Sequence, residues 1–588
     1  MRFGYSQWLP DEIPTIPQCV SGLSVLSFLV RTSAVSRARK GTNSKTAPKT
    51  LSFVTHSQQS HKSKTNSNQT NNLKDLSKFK TKYISMANEE CDYLIIGGGA
   101  TGMAFSDSLL ENSQDTNLSV IVVDKHEAPG GQWHDSYDFV QLHQPSKGYG
   151  VESHRLEDGA DDKDNHRATR TEILQYYSDV KRHLESKYNF KFLGGTTLDL
   201  SQLNEGSPSR QDFTITNNET GVSRTIHVRK RLVDARNLEP DLPISTPPKF
   251  SFPSDSVSVL PVNDIVQKNE NESPMKNNFV VVGGGKTGMD AVFHLLTKKQ
   301  ILPENLLWVV PNDAWITARE NIGNCIDLLY TSARLHHDAP KTNGIDDEKK
   351  EADGKENSVG IGSAFFQKGF MEWEKQGHIY RLDPSVVPTK FKDATLSQYE
   401  LSVLQKAVPR MVRAGRITEI TEAGSMIFQD GSIMNLPFPV DDTTFIHCSA
   451  GAFHCSKSNQ SSPPIFDKHR ITVQDFYGTP GFCIVGSMLG KLESMPSLSD
   501  DERNAMTRRP APSGESSKEK SGGDVLGEVT KDHPFIQRAQ NLKMWLDIAE
   551  LRDWLFANRL FHMAGANPSI VSDRLNYIFD VLRRNGIL

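Results

Sequence analysis

The chain has 588 residues, of which 36% are hydrophobic and 23% charged, and its formal net charge is −4. This near-neutral balance gives no reason to expect nucleic acid as a partner, and no apolar run reaches the roughly 18 residues that a membrane-spanning helix requires. The six cysteines are scattered and form no CxxC pair, which argues against a secreted disulfide framework. The composition therefore agrees with a soluble enzyme, and the length with the mass of about three or four domains.

The composition of residues 1–88 predicts that this first part of the chain lies outside the folded domains. There is no acidic residue between Glu12 and Asp75, while basic residues and Ser, Thr, Asn and Gln abound. An acid-poor leader of this kind is typical of an organelle transit peptide. The alternative is a tail outside the fold, with Met86 as a sensible start for a cytoplasmic protein. The two interpretations predict an organellar and a cytoplasmic location, respectively.

A glycine-rich fingerprint follows this leader. Residues 93–96 predict a buried strand and residues 103–110 a helix, and between them Gly97, Gly99 and Gly102 fit the pattern GxGxxG. The first glycine allows a tight turn, the second lets a pyrophosphate approach the backbone, and the third lets helix and strand pack closely. Since the helix N-terminus presents free N–H groups to phosphates, the sequence predicts a dinucleotide site.

An acidic residue supports this interpretation. Residues 120–123 predict a second strand, and Asp124 closes it about 20 positions past the last glycine, where an acid binds ribose hydroxyls. The alternative for Asp124 is an ordinary surface aspartate at a strand end.

The GGxW segment Gly130-Gly131-Gln132-Trp133, which follows this strand, resembles the flavin-containing and Baeyer–Villiger monooxygenases. The resemblance covers most of residues 89–500 in order and spacing. It implies FAD at the first fingerprint and NADP at a second one. It also implies a set of FAD contacts: Gly97, Gly99, Gly102, Asp124, Gly131 and Trp133. Plain core packing is the alternative for Trp133.

The chain also departs from that family. The hallmarks FxGxxxHxxxW and FxGxxxHxxxY are missing from residues 249–278, and the expected ATG segment differs at both candidate strand ends, residues 233–236 and 448–451. These departures indicate a divergent branch. We expect an FAD-dependent oxidoreductase reduced by NADPH, monooxygenase-like, acting on a small organic substrate. The alternatives are a flavin reductase or dehydrogenase with another electron acceptor, and a non-catalytic dinucleotide-binding redox sensor.

A second fingerprint follows the apolar run 279–282. Gly283, Gly285 and Gly288 again fit GxGxxG, so we expect a nicotinamide dinucleotide here. An acid at the end of the next strand would favour NAD, but Asn312 stands there, which favours NADP. Lys286 and Thr287 suggest a P-loop, but that motif needs a glycine at position 280, which is valine. Arg319, shortly after the next strand, is the candidate for binding the 2′-phosphate of NADP; the alternative for it is a solvated helix charge.

Two side-chain candidates for chemistry remain. His143 lies where the chain should pass the flavin ring, and it suggests a proton donor that works near neutral pH; a structural, hydrogen-bonded histidine is the alternative. Cys448 and Cys455 offer a redox pair, for which a strand-end coincidence is the alternative. No metal-binding motif is present.

The predicted fold class is α/β, with two Rossmann-type dinucleotide-binding domains and a C-terminal helical region. The predicted plan, in chain order, is a leader at 1–88, the first part of the FAD domain at 89–248, the NAD(P) domain at 249–440 with a disordered insert at 341–358, the return of the FAD domain at 441–500, a disordered loop at 501–531 and helices at 532–588.

Overall fold

The computed structural model describes nine stretches of the chain: residues 89–156, 166–203, 211–267, 276–337, 364–449, 463–477, 481–509, 529–561 and 566–588. The predicted leader at 1–88 and the predicted insert at 341–358 lie outside the described residues, as does Cys455. Among the described helices, none is both long and apolar enough to cross a membrane.

The first sheet is built around a strand buried on both faces, as a parallel sheet covered by helices requires. The strands are β1 (Glu89–Ile96), β2 (Ser119–Val123), β3 (Asn189–Leu193), β4 (Thr196–Leu198), β5 (Asp212–Asn217), β6 (Ser223–Asp234), β18 (Phe466–Asp467) and β19 (Arg470–Thr472). They run in the order β18-β19-β6-β1-β2-β3, with β1 parallel to β2 and β6, and a β4–β5 hairpin joins the sheet through β6.

The second sheet is wholly parallel, in the order β13-β9-β8-β17-β7. Its strands are β7 (Ser258–Pro261), β8 (Asn278–Val282), β9 (Leu306–Val309), β13 (Met411–Val412) and β17 (Thr443–His447). Two small three-stranded sheets flank it: β10 (Ala314–Ala318), β11 (Ile379–Tyr380) and β12 (Lys390–Leu396), and β14 (Ile417–Ile420), β15 (Met426–Phe428) and β16 (Ile433–Met434). The predicted α/β class with two Rossmann-type sheets is confirmed.

One predicted boundary is corrected. The FAD domain was expected to return at residue 441, but β17 pairs with β8, in the register Phe445↔Val280, and so belongs to the second sheet. The return comes later, where β19 pairs with β6. A five-residue buried strand is compatible with either sheet, because its pairing partner is decided by tertiary contacts that a local pattern does not contain.

The helices pack on both sheets and form the C-terminal region. They are α1 (Ala100–Asn112), α2 (Arg170–Lys187), α3 (Asp264–Gln267), α4 (Lys286–Thr297), α5 (Cys325–His337), α6 (Ala364–Lys375), α7 (Gln398–Leu404), α8 (Phe482–Glu493), α9 (Asp500–Met506), α10 (Pro534–Asp547), α11 (Ala549–Ala557) and α12 (Pro568–Arg584). The predicted C-terminal helices are confirmed. The loop predicted from residue 501 is corrected at its start, since a capping box between Ser499 and Glu502 begins α9 there.

A close helix crossing fixes the position of α1. A Cβ on Gly486 of α8 would lie 2.3 Å from the carbonyl oxygen of Thr101, and one on Gly490 would lie 2.6 Å from that of Phe105. Only glycines at these positions let α8 approach so closely. Because the N-terminus of α1 carries the first fingerprint, this crossing supports the geometry of the candidate site.

Candidate functional site

The first fingerprint adopts the turn that its glycines predict. Gly97 has a φ of +102°, a conformation that glycine adopts without strain. A Cβ on Gly102 would lie 1.9 Å from the carbonyl oxygen of Gly97, so a glycine is required for α1 to reach the turn. The first and third glycines therefore have the structural roles that the pattern predicts.

The GGxW turn packs directly on this fingerprint. The N–H of Gly130 donates to the carbonyl oxygen of Gly98 (3.0 Å), and Gly131 has a φ of +54°. A Cβ on Gly131 would lie 2.7 Å from the Cα of Gly99. Two stretches of backbone without side chains therefore pack against each other at the N-terminus of α1.

Asp124 ties the loops together at the end of β2. Its Oδ2 accepts a hydrogen bond from the N–H of Gly98 (2.6 Å), and its Oδ1 accepts one from the N–H of His126 (2.8 Å). The His126 ring is bonded to the same carboxylate at 2.9 Å, which raises the pKa of that histidine. The role of Asp124 in binding a ribose stays a prediction, and the carboxylate also has this structural role.

A cavity of about 410 Å³, called cavity A here, opens above these loops. This volume lies in the range of small-molecule and cofactor sites. Five of the six residues that the resemblance implies as FAD contacts line it: Gly97, Gly99, Asp124, Gly131 and Trp133. Gly102 instead lies beneath the turn. Trp133 is buried, and its Nε1 donates to the hydroxyl of Tyr149 (2.8 Å), so its ring is fixed in the cavity wall.

Several lining residues of cavity A were missed by the sequence prediction. Residues 196–198 of β4, Arg236 after β6, and Phe482 at the start of α8 all line it. The Nε and Nη2 of Arg236 bind the buried Asp234 (2.9 and 3.0 Å). Its Cγ lies only 3.3 Å from where a Cβ on Gly97 would stand. The signal in the sequence is the cationic residue at the position of the expected ATG segment.

The second fingerprint repeats the turn after β8. Gly283 has a φ of +138°, a Cβ on Gly288 would lie 2.0 Å from the Gly283 carbonyl oxygen, and the Nε1 of Trp308 donates to that oxygen (2.9 Å). The middle glycine, Gly285, differs, since a Cβ there would meet no described atom within 4 Å. The protein therefore leaves open space where a pyrophosphate is expected to approach.

A second cavity of about 280 Å³, cavity B, extends from this fingerprint. Thr287 in the first turn of α4 lines it, together with Tyr137, Asn263 and Cys448. Burial raises the pKa of the Cys448 thiol, so that this cysteine stays protonated. Gln132 and Pro240 line both cavities. Cavities A and B therefore share a wall, and each reaches one of the two glycine fingerprints.

Arg319 belongs to a buried charge cluster and lines neither cavity. Its Nη1 binds Oε2 of Glu400 (2.6 Å), and its Nε and Nη2 donate to the carbonyl oxygens of His143 (2.7 Å) and Thr395 (3.2 Å). Burial alone would raise the pKa of Glu400, but the hydrogen bond from Arg319 and the charge of Lys286 lower it to about 2. The phosphate-binding role of Arg319 stays a prediction, and its guanidinium is committed to these acceptors.

His143 lies in the same cluster. Burial, together with the charge of Lys286, lowers the pKa of His143 to about 4, so its imidazole is neutral at pH 7. It lines neither cavity, and its Nδ1 finds no hydrogen-bond partner among the described residues. The catalytic role of His143 stays a prediction. Within the described stretches, no three His, Cys, Asp or Glu side chains come together as a metal site.

The family model of the NAD(P)-binding Rossmann-like domain matches residues 95–160, which contain the first fingerprint and the GGxW segment. Uncharacterized proteins of Mycobacterium tuberculosis and Mycobacterium bovis are each 29% identical to this chain over 396 residues. Those matches cover 66% of this chain and 65% of the relative, slightly less than two thirds of its length.

Solved structures similar to this chain include a flavin-containing monooxygenase from Stenotrophomonas maltophilia, at 12% identity and a TM-score of 0.36 over 69% of this chain and 97% of that one. A closed crystal structure of cyclohexanone monooxygenase matches at 14% identity and a TM-score of 0.39, over 85% and 98%. OTEMO in complex with FAD and NADP matches at 15% identity and a TM-score of 0.39, over 71% of this chain and 84% of that one.

Proposed function

We propose that this chain is an FAD-dependent oxidoreductase reduced by NADPH, with monooxygenase-like activity on a small organic substrate. One observation carries the proposal: each fingerprint opens onto a cavity, and the two cavities share Gln132 and Pro240. Hydride transfer between two cofactors requires reacting atoms about 3–3.5 Å apart. Two neighbouring nucleotide sites with lining residues in common support this arrangement, whereas two distant sites would not.

The residues around cavity A suit FAD. The N-terminus of α1 offers N–H groups to a pyrophosphate, and Gly99 and Gly131, which line cavity A, present no side chain to it. Arg236 adds a positive charge beside the same turn, held in place by Asp234. Asp124 would accept a hydrogen bond from a ribose hydroxyl. A preformed site of this kind lowers the ordering cost of binding.

The residues around cavity B suit the nicotinamide nucleotide. Gly285 leaves space at the N-terminus of α4, and Thr287 in the first turn faces the cavity. When bound, the cofactor pair supplies hydride transfer and the redox chemistry that follows it. The protein supplies binding, orientation and exclusion of water.

The wall behind Trp133 suits the exclusion of water and stray protons. Trp133 donates to Tyr149, which also accepts from the hydroxyl of Tyr177 (3.1 Å). Burial raises the pKa of both phenols well above its ordinary value, so neither ionises in the working pH range. These side chains hold the flavin side of the site rigid and offer no titrating group that would discharge a reactive intermediate.

A second candidate is a flavin reductase or dehydrogenase with an acceptor other than oxygen. It is favoured by the missing histidine hallmarks, since residues 249–267, which contain β7 and α3, hold no histidine. The test has two steps. Purified protein should be yellow and should bleach when NADPH is added without air. Admitting oxygen together with candidate substrates then distinguishes an oxygenated product, which supports the monooxygenase, from simple electron transfer. Colourless protein that binds no FAD would contradict both candidates.

A further inference from the structure

Gln132 lies where the two cavities meet. It is the variable residue of the GGxW segment, and it lines both cavity A and cavity B. Its backbone carbonyl accepts hydrogen bonds from the N–H of Asp135 (3.1 Å) and the hydroxyl of Ser136 (2.9 Å). These bonds fix the turn, so the side chain is held at the wall that the cavities share.

The amide of Gln132 has unused hydrogen-bonding capacity. Its Oε1 is buried and finds no donor among the residues that the structure describes. Buried acceptors without a partner are rare in native proteins, and a ligand that brings a donor would satisfy this one. The last torsion of a glutamine side chain is soft, which lets the amide turn towards a group bound in either cavity.

We propose that Gln132 is a positioning residue that binds the carboxamide of the reduced nicotinamide and thereby orients the ring towards cavity A. This inference rests on the proposed function. A nucleotide whose pyrophosphate lay at the N-terminus of α4 would be held beside Thr287, which lines cavity B together with Gln132. A carboxamide is both donor and acceptor, as is the glutamine amide, so the two groups pair.

Other polar side chains of cavity B are already engaged. The Nδ2 of Asn263 donates to the carbonyl oxygen of Asp135 (3.1 Å), and the hydroxyl of Tyr137 donates to Oδ2 of Asp290 (2.8 Å). The Oε1 of Gln132, in contrast, is buried without a donor among the described residues. Gln132 transfers neither hydride nor proton; it sets the angle and distance at which the hydride donor meets its acceptor.

The experiment uses the holoprotein under anaerobic conditions and measures the rate of flavin reduction. The donors are NADPH and its reduced 3-acetylpyridine analogue, in which a methyl ketone replaces the carboxamide and removes the N–H donor. Each is tested on the unaltered protein and on Gln132→Met, which keeps side-chain length without an amide. We expect the change of donor to slow the unaltered protein about fivefold more than the variant, the factor that one neutral hydrogen bond contributes. Differences in intrinsic hydride-donor strength cancel in this ratio.

Two further variants complete the test. Gln132→Glu retains acceptor oxygens, so it should retain part of the discrimination; it also keeps the test valid if Gln132→Met does not fold. Gln144→Met is the matched control, since Gln144 donates to the carbonyl of Gly148 and lines neither cavity. If the change of donor slows the unaltered protein less than about twofold more than Gln132→Met, although NADPH reduces both, the positioning role is overturned. A variant that changes only the flavin spectrum would overturn it as well. Unaltered protein whose FAD is not reduced by NADPH would instead refute the proposed function itself.

Discussion

Valine at Gly285 tests the second fingerprint with little disturbance of the fold. Gly285 has ordinary extended backbone angles, φ −90° and ψ −177°, and a Cβ there would meet no described atom within 4 Å. The substitution should lower the free energy of unfolding by about 1 kcal/mol or less, because valine caps the N-terminus of α4 less well than glycine. The added methyl groups would stand where a pyrophosphate is expected, so the effect should fall on nucleotide binding.

The expected magnitude follows from the interactions lost. Displacing the pyrophosphate removes about one hydrogen bond to a charged group, worth roughly 1.5–3 kcal/mol, and part of the helix-dipole contribution of about 0.3–1 kcal/mol. A total of about 2–4 kcal/mol corresponds to a roughly 30- to 700-fold weaker Kd for NADPH. The assay is anaerobic flavin reduction over a range of NADPH concentrations, with FAD content measured in parallel.

A matched control is available at Gly148. It also has open space around its prospective Cβ and no positive φ, and it lines neither cavity. Gly148→Val should leave the Kd for NADPH unchanged. If Gly285→Val keeps its FAD and binds NADPH within threefold of the unaltered protein, the second fingerprint is not the nicotinamide site.

Three further predictions concern the first site and the cluster behind it. Gly99→Val should yield protein without FAD and, relative to holoprotein with ligand at about 100 times its Kd, should lose roughly 2.7 kcal/mol of stability; full FAD occupancy by absorbance would disprove the assignment of cavity A. Gly486→Ala should lower the free energy of unfolding by about 1–3 kcal/mol, because its Cβ would lie 2.3 Å from the Thr101 carbonyl oxygen. The melting temperature and the FAD content should both fall. An unchanged melting curve would show that α1 and α8 can move apart at no cost in stability. The pKa of Glu400 is lowered from 4.5 to about 2, so its ion pair should stabilise the protein fully above pH 4.5 and lose this effect as the pH falls towards 2. In denaturant titrations from pH 6 to pH 2, the free energy of unfolding of Glu400→Gln should therefore change less with pH than that of the unaltered protein. An identical pH dependence of the two proteins would refute the pairing.

Much of the fold was predictable because its signals are local. The two GxGxxG segments, the apolar strands before them and Asp124 lie within short stretches of sequence, and the structure gives all of them the expected secondary structure. The C-terminal helices were equally visible from their three- and four-residue apolar spacing. The capping box at Ser499 was also a local signal, but it was overlooked inside a polar stretch.

The remaining features depend on contacts between distant parts of the chain. Arg319 meets Glu400 across 81 positions, and no local pattern distinguishes a buried ion pair from a phosphate-binding arginine. His143 is surrounded by charges from α4 and from Arg319, which set its protonation state. Gln132 and Arg236 are recognisable as site residues only from the cavities they line, because residues far apart in the sequence build those cavities together.

In the proposed function, two bound cofactors exchange hydride directly where cavities A and B meet. The most direct measurement is an anaerobic titration of the purified holoprotein with NADPH, followed by flavin absorbance. We expect FAD to be bound in the protein as purified and one equivalent of NADPH per flavin to bleach it completely. Protein without flavin, or a flavin that stays oxidised in excess NADPH, would contradict it.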